Sequence, residues 1–215
     1  MNPTFRLDRL GNTLFDAEGR RFDPTQREWL SAPRRKSRAA KLEPLDALAA
    51  ATWLQRESGH PLRIPIGVVG PREANAAQLA AALKVGELLG DCGLTVLCGG
   101  RQGVMQAVCE GVARVGGLSI GLLPEPDASE ANRFVGVAIA TGIGEARNAL
   151  IARASFCLIA IGSSLGTLSE VAFGRQFGKP VIGLEGAARV EGVQHVAAAK
   201  EAVERVAKIV LAQAR

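Results

Sequence analysis

The chain has 215 residues, 47% of them hydrophobic and 22% charged, with a formal net charge of +5. That is the composition of a folded chain with one main domain, and it excludes a disordered one. Seven Phe, two Trp and no Tyr leave little material for stacking bases, and two His exclude a His-rich metal centre.

In chain order, the first stretch is irregular. Between Phe5 and Phe22 the turn signals Gly11-Asn12 and Asp16-Ala17-Glu18-Gly19 separate short apolar runs, which predicts a small hairpin. Pro33 to Lys41 carries five basic residues (Arg34, Arg35, Lys36, Arg38 and Lys41) and reads as an exposed linker. Leu45 to Leu54 has helical spacing, with Trp53 on its apolar side, and Trp29 and Trp53 read as anchors for this extension. Residues 1–63 hold 12 Lys/Arg and 8 Asp/Glu, so most of the net charge lies here and the rest of the chain is nearly neutral. The charge therefore gives no general case for nucleic acid as a partner. Met1 to Leu10, with Arg6, Asp8 and Arg9, does not read as a secretory signal.

From Leu62 the pattern alternates between strand and helix. Strands are predicted at Ile64–Val69, Leu94–Leu97, Ser119–Leu123, Val135–Ala140, Phe156–Ile161 and Pro180–Leu184, with a short edge strand at Val193–Val196. Helices are predicted at Ala76–Leu89, Val104–Val115, Ala146–Ala154, Leu168–Phe177 and Lys200–Ala214, the last with Val203, Val206, Ile209, Val210 and Gln213 at helical spacing. This alternation predicts an α/β fold: a doubly wound, mostly parallel, Rossmann-like sheet with helices on both faces. The expected organisation is an N-terminal extension over residues 1–61 and a nucleotide- or phosphate-binding domain over residues 62–215. Cys92, Cys98, Cys109 and Cys157 lack CxxC spacing and sit in apolar surroundings, so they read as buried thiols of a reduced cytoplasmic protein. No apolar run reaches membrane-spanning length, so no membrane partner is expected.

Doubly wound folds place ligands at the carboxyl ends of their strands. Four Gly-rich loops lie there: Gly70-Pro71-Arg72, Gly99-Gly100-Arg101-Gln102-Gly103, Thr141-Gly142-Ile143-Gly144-Glu145-Ala146-Arg147-Asn148 and Gly162-Ser163-Ser164-Leu165-Gly166-Thr167. Glycine lets a phosphate approach the backbone, and a helix start offers free N–H groups and a favourable dipole. None of the four is a Walker A or a GxGxxG dinucleotide sequence, so the nucleotide triphosphatase and nicotinamide readings lose their main support. Arg72 and Arg101 are candidate anion contacts. Met105 reads as core, and residues 125–133, with Asn132 and Arg133, have the composition of a lid.

Gly99-Gly100-Arg101-Gln102-Gly103-Val104-Met105, followed by Ala107 and Glu110-Gly111, resembles the GGxxGxM segment of the LONELY GUY family of phosphoribohydrolases, many of them once mislabelled lysine decarboxylases. Gly162 to Glu170 resembles that family's PGGxGTxxE motif. Thr141–Asn148, Ala160–Glu170 and Gly178–Gly183 are similar to the TGxGEARN, AIGxxxGTLSE and GKPVIG segments of a small bacterial subgroup that includes molybdenum-cofactor carrier proteins. The fold is also similar, more distantly, to that of DNA-processing proteins.

The resemblance implies a catalytic pair at Arg147 and Glu170; together with the Gly-rich loops it gives as candidate phosphate or nucleotide contacts Gly70, Arg72, Gly99, Gly100, Arg101, Gly103, Thr141, Gly142, Asn148, Gly162, Ser163, Ser164, Gly166 and Thr167, of which Gly70, Arg72 and Arg101 rest on loop position alone. It also implies a homo-oligomer, a dimer or larger. No metal and no required cofactor are expected; the ligand is a nucleotide, phosphate or molybdopterin-type molecule. Where the family motif has Pro-Gly-Gly this chain has Gly162-Ser163-Ser164, which brings hydroxyl donors and Cβ atoms to the loop.

Three readings stand on these residues. One is hydrolysis of a nucleoside 5′-monophosphate to free base and ribose 5-phosphate, in which Glu170 meets the developing oxocarbenium charge and Arg147 orients the substrate. The second is a carrier of molybdenum cofactor or a similar phosphorylated pterin. The third, a DNA-associated module, rests on the basic extension and is disfavoured by the near-neutral body.

Overall fold

The computed structural model describes residues 5–31 and 42–212. The basic run from Arg34 to Lys41, the Pro33 linker and Gln213 lie outside the described residues. The chain divides into two compact units, Met1–Leu62 with Glu204–Arg215, and Arg63–Val203.

The first unit holds an antiparallel sheet, one helix of its own and the end of the chain's last helix. Its strands are β1 (Phe5–Asp8), β2 (Thr13–Asp16), β3 (Arg21–Asp23), β4 (Glu28–Leu30) and β5 (Leu42–Leu45), in the order β4-β3-β2-β1-β5, followed by α1 (Ala47–Arg56). The expected hairpin is therefore two strands of a five-stranded sheet. Strands β3 and β4 have three residues each, too short to show an apolar alternation. The β2–β3 turn is closed by Asp16, whose buried carboxylate accepts from the Arg20 backbone N–H at 2.8 Å and from Arg20 Nε at 2.6 Å. Trp29 packs its ring on Phe5 and Phe22 and donates Nε1–H to the Leu211 carbonyl at 2.6 Å. Trp53 is buried and donates to Asn12 Oδ1 at 2.6 Å. Asp46 caps α1 by accepting from Ala49 N–H.

The second unit is the α/β body. Its elements are β6 (Ile66–Val69), α2 (Ala76–Asp91), β7 (Val96–Cys98), α3 (Val104–Arg114), β8 (Ser119–Leu123), β9 (Val137–Ala140), α4 (Arg147–Ala154), β10 (Leu158–Ile161), α5 (Leu165–Gln176), β11 (Val181–Leu184) and β12 (Val193–His195). A last helix, α6 (Ala199–Val210), begins in this unit. All seven strands are parallel, in the order β12-β11-β10-β6-β7-β8-β9. This is the doubly wound sheet that the strand and helix alternation predicts.

From β6 the chain winds outward through β7 and β8. From β10 it winds the opposite way through β11 and β12. With right-handed crossovers the two sets of helices fall on opposite faces. Strands β6, β10 and β11 are buried at every residue, as strands covered on both faces must be. Their side chains join Ile151, Ala152 and Val171 in one apolar core. The four cysteines are buried free thiols. Among the described residues no helix is long and apolar enough to cross a membrane.

Helices α2 and α3 pack at close range because both are notched with glycine. A Cβ on Gly111 would fall on the Leu83 carbonyl oxygen, and one on Gly86 on the Val108 carbonyl oxygen. Helix propensity alone makes Gly111→Ala stabilising by about 1 kcal/mol. The overlap with backbone costs about 1–3 kcal/mol. Gly111→Ala is therefore expected to lower stability in urea unfolding, and an unchanged or higher midpoint would contradict this packing.

Candidate functional site

Adjacent strands β6 and β10 lead in opposite directions, so a crevice opens beyond their carboxyl ends. A cleft of about 840 Å³ lies there. The loop after β6 contributes Gly70, Pro71, Arg72 and Glu73, the loop after β7 contributes Arg101, and the first turn of α3 contributes Met105. Glu145, Arg147 and Asn148 enter from the turn that opens α4. Opposite them stand Ser163, Ser164, Leu165, Gly166 and Thr167 at the start of α5, with Ser169, Glu170 and Phe173 further along that helix.

The start of α5 is a capped helix. Ser164 is its N-cap: its Oγ accepts from Thr167 N–H at 3.1 Å and lies 2.9 Å from Thr167 Oγ1. The N–H groups of Leu165 and Gly166, in the first turn, have no acceptor within the helix. They and the helix dipole make this wall receptive to an anion.

Arg147 and Glu170 meet on the other side, with Nη1 and Oε1 3.3 Å apart. Both side chains are buried, at 5% and 8% exposure. Arg147 Nη1 also donates to Asn148 Oδ1; Asn148 Nδ2 donates to Ser169 Oγ at 2.9 Å, and Ser169 Oγ to the Gly166 carbonyl at 2.7 Å. This chain of bonds ties Arg147 to the first turn of α5. Arg147 Nε is buried and has no hydrogen-bond partner.

Burial pushes the Glu170 carboxyl up to about 8; the Arg147 charge opposes the rise and the Glu145 charge adds to it. At neutral pH Glu170 is therefore largely protonated, and Arg147 keeps most of its positive charge uncompensated by that neighbour. Arg101, 15% exposed, pairs with Glu125 at 3.1 Å and with Glu145 at 3.3 Å.

Of the residues expected at the site, Gly70, Arg72, Arg101, Arg147, Asn148, Ser163, Ser164, Gly166, Thr167 and Glu170 line this one cleft. Gly99, Gly100, Gly103, Thr141, Gly142 and Gly162 do not. Gly99 lies behind the Arg147 guanidinium and the Met105 sulfur, where a Cβ would stand 2.7 Å from each. Gly103, at φ +69°, sits against the Pro71 and Arg72 carbonyls, so that Val104 N–H reaches the Pro71 carbonyl at 3.1 Å. Thr141 donates Oγ1–H to the Leu123 carbonyl at 2.7 Å, and Gly142 N–H reaches the Glu125 carbonyl at 2.9 Å. Gly100 and Gly162 back onto Gly121 and Gln78.

The lid composition of residues 125–133 hides a brace: buried Asn132 donates Nδ2–H to the carbonyls of Gly100 and Arg101. Met105, read as core, reaches the cleft wall, and Glu73, Leu165, Ser169 and Phe173 join it unannounced. Phe173 was findable, since it lies one helical turn beyond Glu170. Glu73 extends the Gly70-Pro71-Arg72 loop. Among the described residues no three His, Cys, Asp or Glu side chains are placed to hold a metal ion.

The raised value at Glu170 predicts a pH dependence. Its folded value lies above the ordinary 4.5, so between these limits the folded state holds a proton that the unfolded chain releases. This contribution to stability is complete below about 4.5 and is lost as the pH rises through about 8. Its size is on the order of a few kcal/mol. Unfolding across pH 4 to 9 is expected to show a stability loss in the unaltered protein that Glu170→Gln abolishes. Parallel profiles would contradict the assignment.

Comparison with known proteins places this geometry. The profile of the SLOG cluster4 family matches residues 63–214. An uncharacterised protein of Archaeoglobus fulgidus is 37% identical over 138 residues, 64% of this chain and 91% of that protein. The molybdenum cofactor binding protein of the phototrophic bacterium Rippkaea orientalis is 34% identical, with a TM-score of 0.66 over 69% of this chain and 99% of its own. The molybdenum cofactor carrier protein of Chlamydomonas reinhardtii is also 34% identical, with a TM-score of 0.63 over 70% and 99%. These likenesses bear out the resemblance to molybdenum-cofactor carrier proteins read from Thr141–Asn148, Ala160–Glu170 and Gly178–Gly183. The matched stretch takes in every cleft-lining residue, and by it the chain belongs to the SLOG cluster4 family.

Proposed function

We propose that this protein binds a small phosphorylated ligand of the molybdenum-cofactor type in the cleft between β6 and β10, as cargo that it carries and does not cleave. The observation that carries the reading is Arg147: a buried guanidinium, with Nε unpartnered, that lines the same cleft as the start of α5. A phosphate at the first turn of α5 would accept from the Leu165 and Gly166 N–H groups and from the Ser163 hydroxyl. The cleft volume lies within the roughly 300–1,000 Å³ of small-molecule pockets. Met105, Leu165 and Phe173 give it apolar wall for a flat heterocycle. The names of the solved relatives, a cofactor binding protein and a cofactor carrier, support the same ligand class.

Burial raises the Glu170 carboxyl to about 8, and in its protonated form it would donate a hydrogen bond to an anionic oxygen of the ligand. The second reading, hydrolysis of a nucleoside 5′-monophosphate, is favoured by one observation, the 3.3 Å approach of Arg147 and Glu170. In that chemistry a protonated Glu170 would act as general acid to the leaving base, and an ionised one would meet the developing oxocarbenium charge.

Incubation with molybdenum cofactor followed by gel filtration and fluorescence of the oxidised pterin tests the carrier reading. Pterin is expected to elute with the protein, and Arg147→Ala to retain at least about tenfold less, the loss typical of a buried charged hydrogen bond. Absence of pterin from the protein peak contradicts the reading. Release of ribose 5-phosphate from AMP that disappears in Glu170→Ala replaces it with the hydrolase.

The same reading takes the protein as a homo-oligomer of a reducing cytoplasm, consistent with its four free thiols. Ile143, Leu150 and Leu168 leave large apolar side chains 49%, 45% and 39% exposed on and beside α4 and α5. Sedimentation is expected to find a dimer or larger assembly that Leu150→Glu dissociates. A monomer for the unaltered chain contradicts this.

A further inference from the structure

We propose that the Arg101 and Arg147 guanidinium groups form a second anion subsite, which the Glu145 carboxylate fills in the ligand-free protein and leaves when a second anionic group of the ligand arrives. The ligand class is a small molecule with two anionic groups, one for the start of α5 and one for the arginine pair. The inference rests on the phosphate-binding reading above and deepens it.

Two guanidinium groups face one carboxylate, Arg101 within hydrogen-bond distance and Arg147 at ion-pair distance. Glu145 Oε1 lies 3.3 Å from Arg101 Nη1, and Glu145 Oε2 lies 4.0 Å from Arg147 Nη2. Two guanidinium groups on different elements thus converge on one carboxylate, each on its own oxygen. Phosphate and similar oxyanions offer the same bridge with more charge and more acceptor oxygens.

Both arginines retain donor capacity that Glu145 does not use. Arg101 Nε and Arg147 Nε are buried and have no hydrogen-bond partner. Glu125 pairs with Arg101 Nη2 at 3.1 Å, yet its own Oε2 is also without a partner. Buried donors in this state favour a ligand that satisfies them.

Glu145, by contrast, is loosely held. Its side chain is 67% exposed, so its ion pairs are solvated and weak. It sits on a single 3-10 turn, Gly144–Ala146, entered through Gly142 at φ +65° and Gly144 at φ +60°. A Cβ at Gly144 would meet nothing within 4 Å, so the turn has room to move. A residue that is exposed, on a glycine-flanked turn and seated between the buried Arg147 and the partly buried Arg101 is placed as a removable stand-in for the ligand's own charge. Its occupancy lowers the apparent affinity by the fraction of time that the subsite is filled.

Calorimetric titration with inorganic phosphate and with inorganic pyrophosphate, on the unaltered protein and on four variants, tests this. Glu145→Gln, and likewise Glu145→Ala, is expected to tighten pyrophosphate binding by about fivefold or more, from removal of the competing carboxylate. The gain is expected to vanish when Arg101→Gln is added to Glu145→Gln. Glu73→Gln is the control. Glu73 lines the same cleft, is in ion pair with no described residue, and removes the same charge; its gain is expected to stay under about twofold. An affinity in Glu145→Gln equal to or weaker than that of the unaltered protein overturns the inference, as does an equal gain in Glu73→Gln. Binding of phosphate by the unaltered protein without a gain in Glu145→Gln overturns the inference alone. Failure of both anions to bind any of the proteins removes the phosphate-binding reading and the inference together.

Discussion

One cation kept away from water organises the cleft. Arg147 is 5% exposed, and withdrawing a guanidinium that far costs several kcal/mol unless its surroundings replace the water it loses. The replacement here is incomplete. Asn148 accepts one N–H, Glu145 stands 4.0 Å from Nη2, and Nε has nothing. Glu170, the neighbour best placed to neutralise the charge, is itself so buried that it holds its proton to about 8. The result is a net positive charge at low dielectric beside an open cleft, where a ligand anion gains more than it would at the surface.

The topology explains why that cation stands where it does. The reversal of winding between β6 and β10 opens the crevice, and the helix after β10 brings its start to one wall. The Asn148–Ser169–Gly166 bonds then lock the Arg147 segment to that same helix turn. Cation and helix start are thereby held as one rigid element, which is what a preorganised anion site requires. The Gly99 loop serves this arrangement from behind. It has no side chain where the guanidinium and the Met105 sulfur fit, so its glycine makes room for the arginine.

Much of this was legible in the residues. The β-branched runs ending in glycine marked the parallel strands, because strands buried on both faces carry no alternation to be confused with a helix. Ser119–Leu123 emerges with the bounds read from its sequence. The N-terminal sheet was half visible: Gly11-Asn12 and Asp16 to Gly19 are strong turn signals, while three-residue strands such as Arg21–Asp23 carry none. At the cleft, Arg147, Glu170 and the Gly162–Thr167 loop came from motif and resemblance. Five of the seven glycines expected there, Gly99, Gly100, Gly103, Gly142 and Gly162, lie outside the cleft lining, since a glycine looks the same in sequence whether its backbone admits a phosphate or a carbonyl. Glu145 and Glu73 were hidden for another reason. An acidic residue among Gly-rich loops carries no sign of its neighbours in sequence, and only the fold shows Glu145 facing Arg101 and Arg147.

The central claim is that the unpartnered Arg147 Nε–H waits for a ligand anion. The most direct measurement is a nitrogen–proton correlation spectrum of the arginine Nε groups, with Arg147 assigned by its loss in Arg147→Lys, recorded while molybdenum cofactor is added. The account predicts a ligand-dependent shift of the Arg147 Nε–H signal that saturates with binding. A signal unmoved by ligand that is shown to be bound would contradict it.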